Sequence, residues 1–245
     1  MKALLLGAAG SALLFSMASA AETRFESGSQ QTALIELYTS EGCSSCPPAE
    51  AWLSRLKGDS GLWKQFVPIA FHVDYWNNLG WRDRFSSPQW TARQRRYGAL
   101  WNSTSVYTPA VVRNGNEVRD WSGSNLSRSN DKTVGTLSAQ TDGKTVVIEF
   151  QPPSGVTGSW QAHAALLASG INSKIGAGEN SGRNQQHDFV VLELRDGAMK
   201  SEGGTQHASL TMTGKGEDGG RRALAVWVTA GNGLAPVQAA GGWLR

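Results

Sequence analysis

Residues 33–56 read ALIELYTSEGCSSCPPAEAWLSRL. Ala33 to Thr39 is a strand by its apolar, β-prone composition. Ala49, Trp52, Leu53 and Leu56 then recur at the spacing of one helix face, and Lys57-Gly58 supplies a stop. Between strand and helix lies Gly42-Cys43-Ser44-Ser45-Cys46, followed by Pro47-Pro48, residues that suit a first helical turn. A thiol at a helix N-terminus meets partial positive charge, which favours the nucleophilic thiolate. Cys43 is therefore expected to be the exposed, activated thiol, and Cys46, one turn further in, the resolving one.

The same alternation continues outward from this stretch. Val67 to Asp74 is a second apolar strand, and Ser87-Pro88 opens a second helix carrying Trp90, Tyr97 and Trp101. Ala110 to Arg113 and Glu117 to Arg119 flank Asn114-Gly115, a two-residue hairpin signal. Strands alternating with helices predict an α/β first half with parallel strands. Strand-like runs at Lys144 to Phe150, Trp160 to Leu167, Asp188 to Leu194, Ser209 to Thr213 and Arg222 to Ala230 predict an antiparallel β half packed upon it. Several of these runs are apolar on successive residues, which implies burial on both faces. The expected organisation is a segment 1–20, a CxxC-bearing unit 21–131 and a β-rich subdomain 132–245, joined through the polar stretch Ser122 to Asp131.

Lys2, the apolar run Ala3 to Phe15 and Ala18-Ser19-Ala20 have the form of a secretory signal, so export to the periplasm or exterior, with cleavage after Ala20, is expected. No later stretch is long and apolar enough for a transmembrane helix. With 23 basic and 20 acidic side chains, one of the basic ones being Lys2, the charge makes no case for nucleic acid. The chain has two cysteines, three positions apart. A disulfide closing so short a loop contributes only about 2 kcal/mol in the chain-entropy account, so redox or metal chemistry explains the pair better than stability does. Metal carriage, copper above all, stays open. A zinc site, however, wants four ligands, and there is no second cysteine pair. A binding module without turnover is the other alternative.

Further candidates lie far from the pair in sequence. Thr108-Pro109 directly precedes a strand, where a cis bond would present backbone beside Cys43. His72 and Asp74 share one side of the second strand near its C-terminal end, a position suited either to proton transfer beside the thiols or to a structural hydrogen-bonded pair. Trp76 belongs to an aromatic group, with Tyr75, Trp81, Trp90 and Trp101, that is either core or substrate wall. Arg82, Arg84, Arg93, Arg95 and Arg96 read as a solvated basic face.

The stretches GCSSCPPAE, FHVDYWNNLGW, SPQWTARQRRY and VYTPAVVRNG resemble an uncharacterised family of exported bacterial thioredoxin-like proteins. The resemblance implies an α/β thioredoxin-like fold for the first half. It also implies a redox-active Cys43–Cys46 disulfide with no further cofactor, and a cis Pro109. It matches Glu36 to a buried acid near the thiols, and places Arg183 and His187 in a family motif. Exported proteins or small-molecule thiols and disulfides are the implied partners, with a membrane or periplasmic protein as redox donor or acceptor. The Ser-Ser between the cysteines and the Gly before them depart from reducing thioredoxins.

Overall fold

In the computed structural model, residues 22–122, 131–214 and 220–244 are described. The signal segment up to Ala20 and most of the Ser122 to Asp131 connection lie outside them.

Along the chain come β1 (Thr23–Glu26), β2 (Ala33–Thr39), α1 (Pro47–Arg55), β3 (Phe66–His72), α2 (Pro88–Leu100), β4 (Ala110–Arg113) and β5 (Asn116–Val118). Then follow β6 (Thr136–Thr141), β7 (Thr145–Gln151), β8 (Trp160–Ser169), β9 (Ile171–Lys174), β10 (Asn184–His187), β11 (Val190–Ala198), β12 (Lys200–Glu202), β13 (Thr205–Thr211), β14 (Arg221–Ala230) and β15 (Pro236–Trp243).

An eight-stranded mixed sheet runs β15-β14-β8-β11-β3-β2-β4-β5. A five-stranded sheet, β1-β6-β7-β13-β12, packs over its C-terminal part, and β9 and β10 form a separate ribbon. Phe25, Leu137, Ile148 and Phe150 of the smaller sheet share an apolar core with Ala164, Leu224 and Val226 of the larger one. Within the large sheet β2 pairs parallel with β3, and β3 parallel with β11, where Ala70 faces Val190.

That last pairing overturns the expected α/β thioredoxin-like class. Of the described residues 46% are in strands and 12% in helices, two of these α-helices, so the protein is mostly β there. The physical reason lies at the edge of β3. An open edge in a short parallel sheet has unpaired backbone groups. Here β11 takes that edge and brings β8, β14 and β15 with it by antiparallel pairing. Strands from either side of residue 131 thus share both large sheets, and β1 pairs with β6.

Both-face burial holds for β14, where Ala223 to Thr229 are all buried, because it is sandwiched between the small sheet and the α2 side. It fails for β7. Val147 is 45% exposed and the strand alternates buried with exposed residues, since only one face meets the other sheet.

The two helices cover opposite faces of the large sheet. Side chains alternate along a strand. From β2, Glu36 and Tyr38 reach α2, and Thr39 reaches α1. The hairpin turn forms as its sequence demands, with φ +49° at Asn114 and +85° at Gly115.

Candidate functional site: a disulfide backed by buried carboxylates and histidines

The backbone leaves β2, turns through Ser40-Glu41-Gly42 and enters α1 at Cys46, the residue preceding its first turn. Pro47 and Pro48 occupy the first helical positions, so no N–H is lost from the helical ladder. Cys43 and Cys46 are joined as a disulfide, with their Cα atoms 5.4 Å apart. Ser44 and Ser45 between them are exposed. The Ser45 hydroxyl lies 3.4 Å from Cys43 Sγ and donates to the Thr108 carbonyl at 3.4 Å. The Thr108–Pro109 bond is cis. Trp76 Nε1 donates to Thr108 Oγ1 at 2.8 Å, so Trp76 stands on the same side of the disulfide. Gly42 packs closely there, since a Cβ on it would sit 3.2 Å from the Trp76 Cβ.

Cys43 is not exposed as expected: its relative exposure is 0%, the same as that of Cys46. The cover is the loop between β9 and β10. Asn180 Nδ2 donates to the carbonyl oxygens of both Glu41 and Cys43 at 2.9 Å, and the Ser44 N–H reaches Glu179 Oε2 at 3.3 Å. The loop lies against Trp81. A Cβ on Gly176 or Gly178 would come within 3.2 Å of that side chain, and Gly178 also has φ +74°.

Around Glu41, in the turn that leads to the disulfide, five ionisable side chains converge, all of them buried: Glu41, Glu50, His72, Asp83 and His187. His187, at the end of β10, turns Nδ1 to Glu50 Oε2 at 2.6 Å, and its Nε2 lies 3.3 Å from Glu41 Oε1. At that second distance neither atom has a well-directed hydrogen bond. Glu50, on the first turn of α1, also accepts from Thr39 Oγ1 at 2.6 Å. His72, at the end of β3, turns Nδ1 to Asp83 Oδ2 at 2.6 Å and leaves Nε2 buried without a partner. Asp83 further accepts from the N–H groups of Glu41 and Phe85. Trp81 Nε1 donates to Glu41 Oε2 at 2.7 Å. The two imidazole rings meet edge to face with centroids 5.2 Å apart.

The electrostatics follow from these contacts. Burial alone would lower the His187 pKa, but the contacts with Glu41 and Glu50 outweigh it and raise it to about 10. Burial works to raise Glu41, yet His187, Ser173 and Trp81 bring it below the ordinary carboxylate value. Asp83 is likewise lowered against its burial, by the charge and hydrogen bond of His72 and by two backbone donors. Among the described residues, Glu50, His72 and His187 bring donor atoms close enough together to hold a metal ion.

Of the residues singled out from the sequence, the structure brings Cys43, Cys46, Thr108, Pro109 and Trp76 together at the disulfide, and His72 and His187 together in the buried cluster with Glu41. Three others fall elsewhere. Glu36 is fully buried on the α2 face, held by Arg93 Nε at 2.8 Å, Tyr97 OH at 2.6 Å and Tyr38 OH at 3.0 Å. Asp74 leaves the line of His72 and accepts from Thr91 Oγ1 of α2 at 2.5 Å. Arg183 is exposed and lines an open groove along α1 with Glu50 and Arg55. The basic face is broken too, since Arg93 is buried in its ion pair with Glu36. Glu41, Glu50 and Asp83 were not foreseen. Glu41 and Glu50 sit within four residues of the cysteines, and that proximity was the available signal; Asp83 had none.

No curated protein matches the chain. A crystal structure of an Agrobacterium tumefaciens protein is similar, with a TM-score of 0.64 and 23% identity over 86% of this chain and 94% of that one. So is HBP35 of Porphyromonas gingivalis, with a TM-score of 0.55 and 14% identity over 89% of this chain and 76% of that one. Likeness at these identities speaks for the fold alone. The family described as protein of unknown function (DUF1223) matches residues 34–229, most of the length described above, and the chain belongs to that family.

Proposed function

We propose that the protein exchanges thiols and disulfides through Cys43, with Cys46 as the resolving thiol, acting on exported proteins or small thiols after its own export. The observation that carries this reading is the pairing of the chain's two cysteines across two exposed serines at the start of α1. So short a loop has little stabilising value, about 2 kcal/mol in the chain-entropy account. The pair and the neighbouring Thr108–Pro109 also resemble the redox centre of thioredoxin-like oxidoreductases, which supports the chemistry.

In the reduced protein, the Cys43 thiolate attacks a substrate disulfide, forms a mixed disulfide and releases one substrate thiolate. Cys46 then attacks Cys43 Sγ, restores the internal disulfide and releases the second substrate thiolate. The two electrons that reduce the substrate come from the two cysteines, and a membrane or periplasmic dithiol partner returns them. The Ser45 hydroxyl, 3.4 Å from Cys43 Sγ, is placed to hydrogen-bond the thiolate. The cover over Cys43 requires the Asn180 loop to lift before a bulky substrate is attacked.

The test is trapping. Reduced Cys46→Ser protein mixed with a disulfide-bonded probe should accumulate a covalent adduct on Cys43, and Cys43→Ser protein should not. Equal adduct yield from both variants, or none from either at a reduction potential that keeps the native pair oxidised, defeats the proposal.

A further inference from the structure

We infer that Glu50, His72 and His187 form a binding site for a divalent transition-metal ion, Zn2+ by donor chemistry, separate from the disulfide. One donor atom from each lies within 4.8 Å of the other two, and all three side chains are buried. The three come from different elements, α1, the end of β3 and the end of β10, so no local turn explains their meeting.

Three observations point to a ligand. The first is the orphaned nitrogen. His72 is 1% exposed, and its Nε2 has no partner although its Nδ1 is tied to Asp83 at 2.6 Å. A buried ring nitrogen left unpaired loses its hydration without return. The second is the way both rings are held. Nδ1 of His72 goes to Asp83, and Nε2 of His187 faces Glu41, which leaves Nε2 of His72 and Nδ1 of His187, beside Glu50, as the donors. A carboxylate on one ring nitrogen, fixing tautomer and orientation, is how proteins present the other nitrogen to a metal. The third is charge: three buried carboxylates, Glu41, Glu50 and Asp83, surround two imidazoles. Even with both rings protonated the group keeps a negative excess, which a dication would offset.

Two imidazoles with carboxylate oxygen suit zinc. Zinc bonds of 2.0–2.2 Å put tetrahedral neighbours roughly 3.4 Å apart, so the ion replaces the 2.6 Å contact of Glu50 with His187 Nδ1, that pair opening slightly while the wider ones close by about 1 Å. Glu41 Oε1 lies 3.3 Å from His187 Nε2 and so stands behind that ring, where it fixes its orientation. Glu50 lines the open groove beside α1, which provides the route in.

The experiment uses the full oxidised chain, chelator-stripped, titrated with Zn2+ by calorimetry, followed by zinc-edge X-ray absorption of the loaded protein. The expected result is one equivalent bound with only nitrogen and oxygen ligands, unchanged in the Cys43→Ser, Cys46→Ser double variant. Affinity should fall by about a hundredfold in His72→Gln. Absence of binding, sulfur in the first coordination sphere, or affinity undiminished in both His72→Gln and Glu50→Gln overturns the inference. Should His72→Gln fail to fold, the absorption spectrum of the wild-type protein still decides. Zinc binding and adduct trapping are independent readouts, so either proposal can fail without the other.

Discussion

Two buried histidines flank the large sheet, and their surroundings push them in opposite directions. His163, on β8 beside α2, stacks on the Trp227 ring with centroids 5.1 Å apart and meets Thr229 Oγ1 at 3.1 Å. Burial, with the positive charges of Arg93 and Arg96 added, lowers its pKa to about 3. His187, on the α1 side between two carboxylates, is raised to about 10. The networks around them differ in the same sense. On the α2 side, Glu36 takes hydrogen bonds from Arg93, Tyr97 and Tyr38, so its carboxylate is well provided for, although Trp227 Nε1 there has no partner. On the α1 side, Glu41, His72 and His187 each keep an atom without a hydrogen-bond partner. Buried ionisable groups that are hydrogen-bonded throughout serve stability, whereas ones left with open positions, as at Glu41, His72 and His187, are where chemistry or a ligand is to be sought.

The largest effect should come from breaking the satisfied side. Arg93→Ala leaves the Glu36 carboxylate buried and unpaired, and loss of one partner of such a pair costs about 3–5 kcal/mol. Denaturant unfolding should show that loss. Replacing both partners together, with Glu36→Gln and Arg93→Met, should recover a good part of it, because no lone charge then remains. In either variant the folded protein should reduce its Cys43–Cys46 bond at the native rate, as Glu36 lies on the other face. A changed rate would mean that the two faces are coupled and the division is wrong.

The contrast also shows what the sequence made legible. The β2–α1 junction, the Asn114-Gly115 hairpin and the apolar run of β14 were readable, because turn chemistry and burial leave local signatures. The fold class was not, because it depends on Val190 pairing with Ala70, a contact between residues 120 positions apart that no local pattern records. Strands such as β6 (TLSAQT), β10 (NQQH) and β15 (PVQAAGGW) escaped notice because small and polar residues dilute their strand signal. At the site, spacing pointed to the cysteines, and the place of Thr108–Pro109 before a strand, with the family resemblance, pointed to that bond. The Asn180 cover depends on side-chain hydrogen bonds to two carbonyls across more than 130 positions. Glu36 had the right chemistry for a buried acid, but strand parity sends it to the α2 side.

A middle-sized effect should appear on acidification. His163 is neutral in the folded state, with a pKa near 3, while in the unfolded chain it titrates near 6.5. The unfolded state therefore binds the extra proton, and stability falls as pH drops below about 6.5 towards 3. At pH 5 the contribution is about 2 kcal/mol relative to pH 8. His163→Phe should flatten that part of the pH–stability curve. An unchanged slope would show that His163 is not the group responsible, and that the α2 side is less insulated than its burial suggests.

The smallest effect on stability should accompany a clear effect on reactivity. Asn180→Ala removes two hydrogen bonds, those to the carbonyls of Glu41 and Cys43. Neutral hydrogen bonds of this kind contribute about 0.5–1.5 kcal/mol each, and the freed carbonyls regain water once the loop lifts, so the global loss should be about 1 kcal/mol. The same free energy holds the loop over a cysteine with no exposed surface. If lifting limits attack, the reduction rate should rise roughly fivefold, since 1.4 kcal/mol corresponds to a factor of ten. A small reductant samples the disulfide through slight openings and a folded protein needs the whole loop displaced, so the gain should be greater for the protein reductant. Equal gains for both would make the loop a passive cover. No gain for either would mean that Trp81, packed against Gly176 and Gly178, holds the loop by itself.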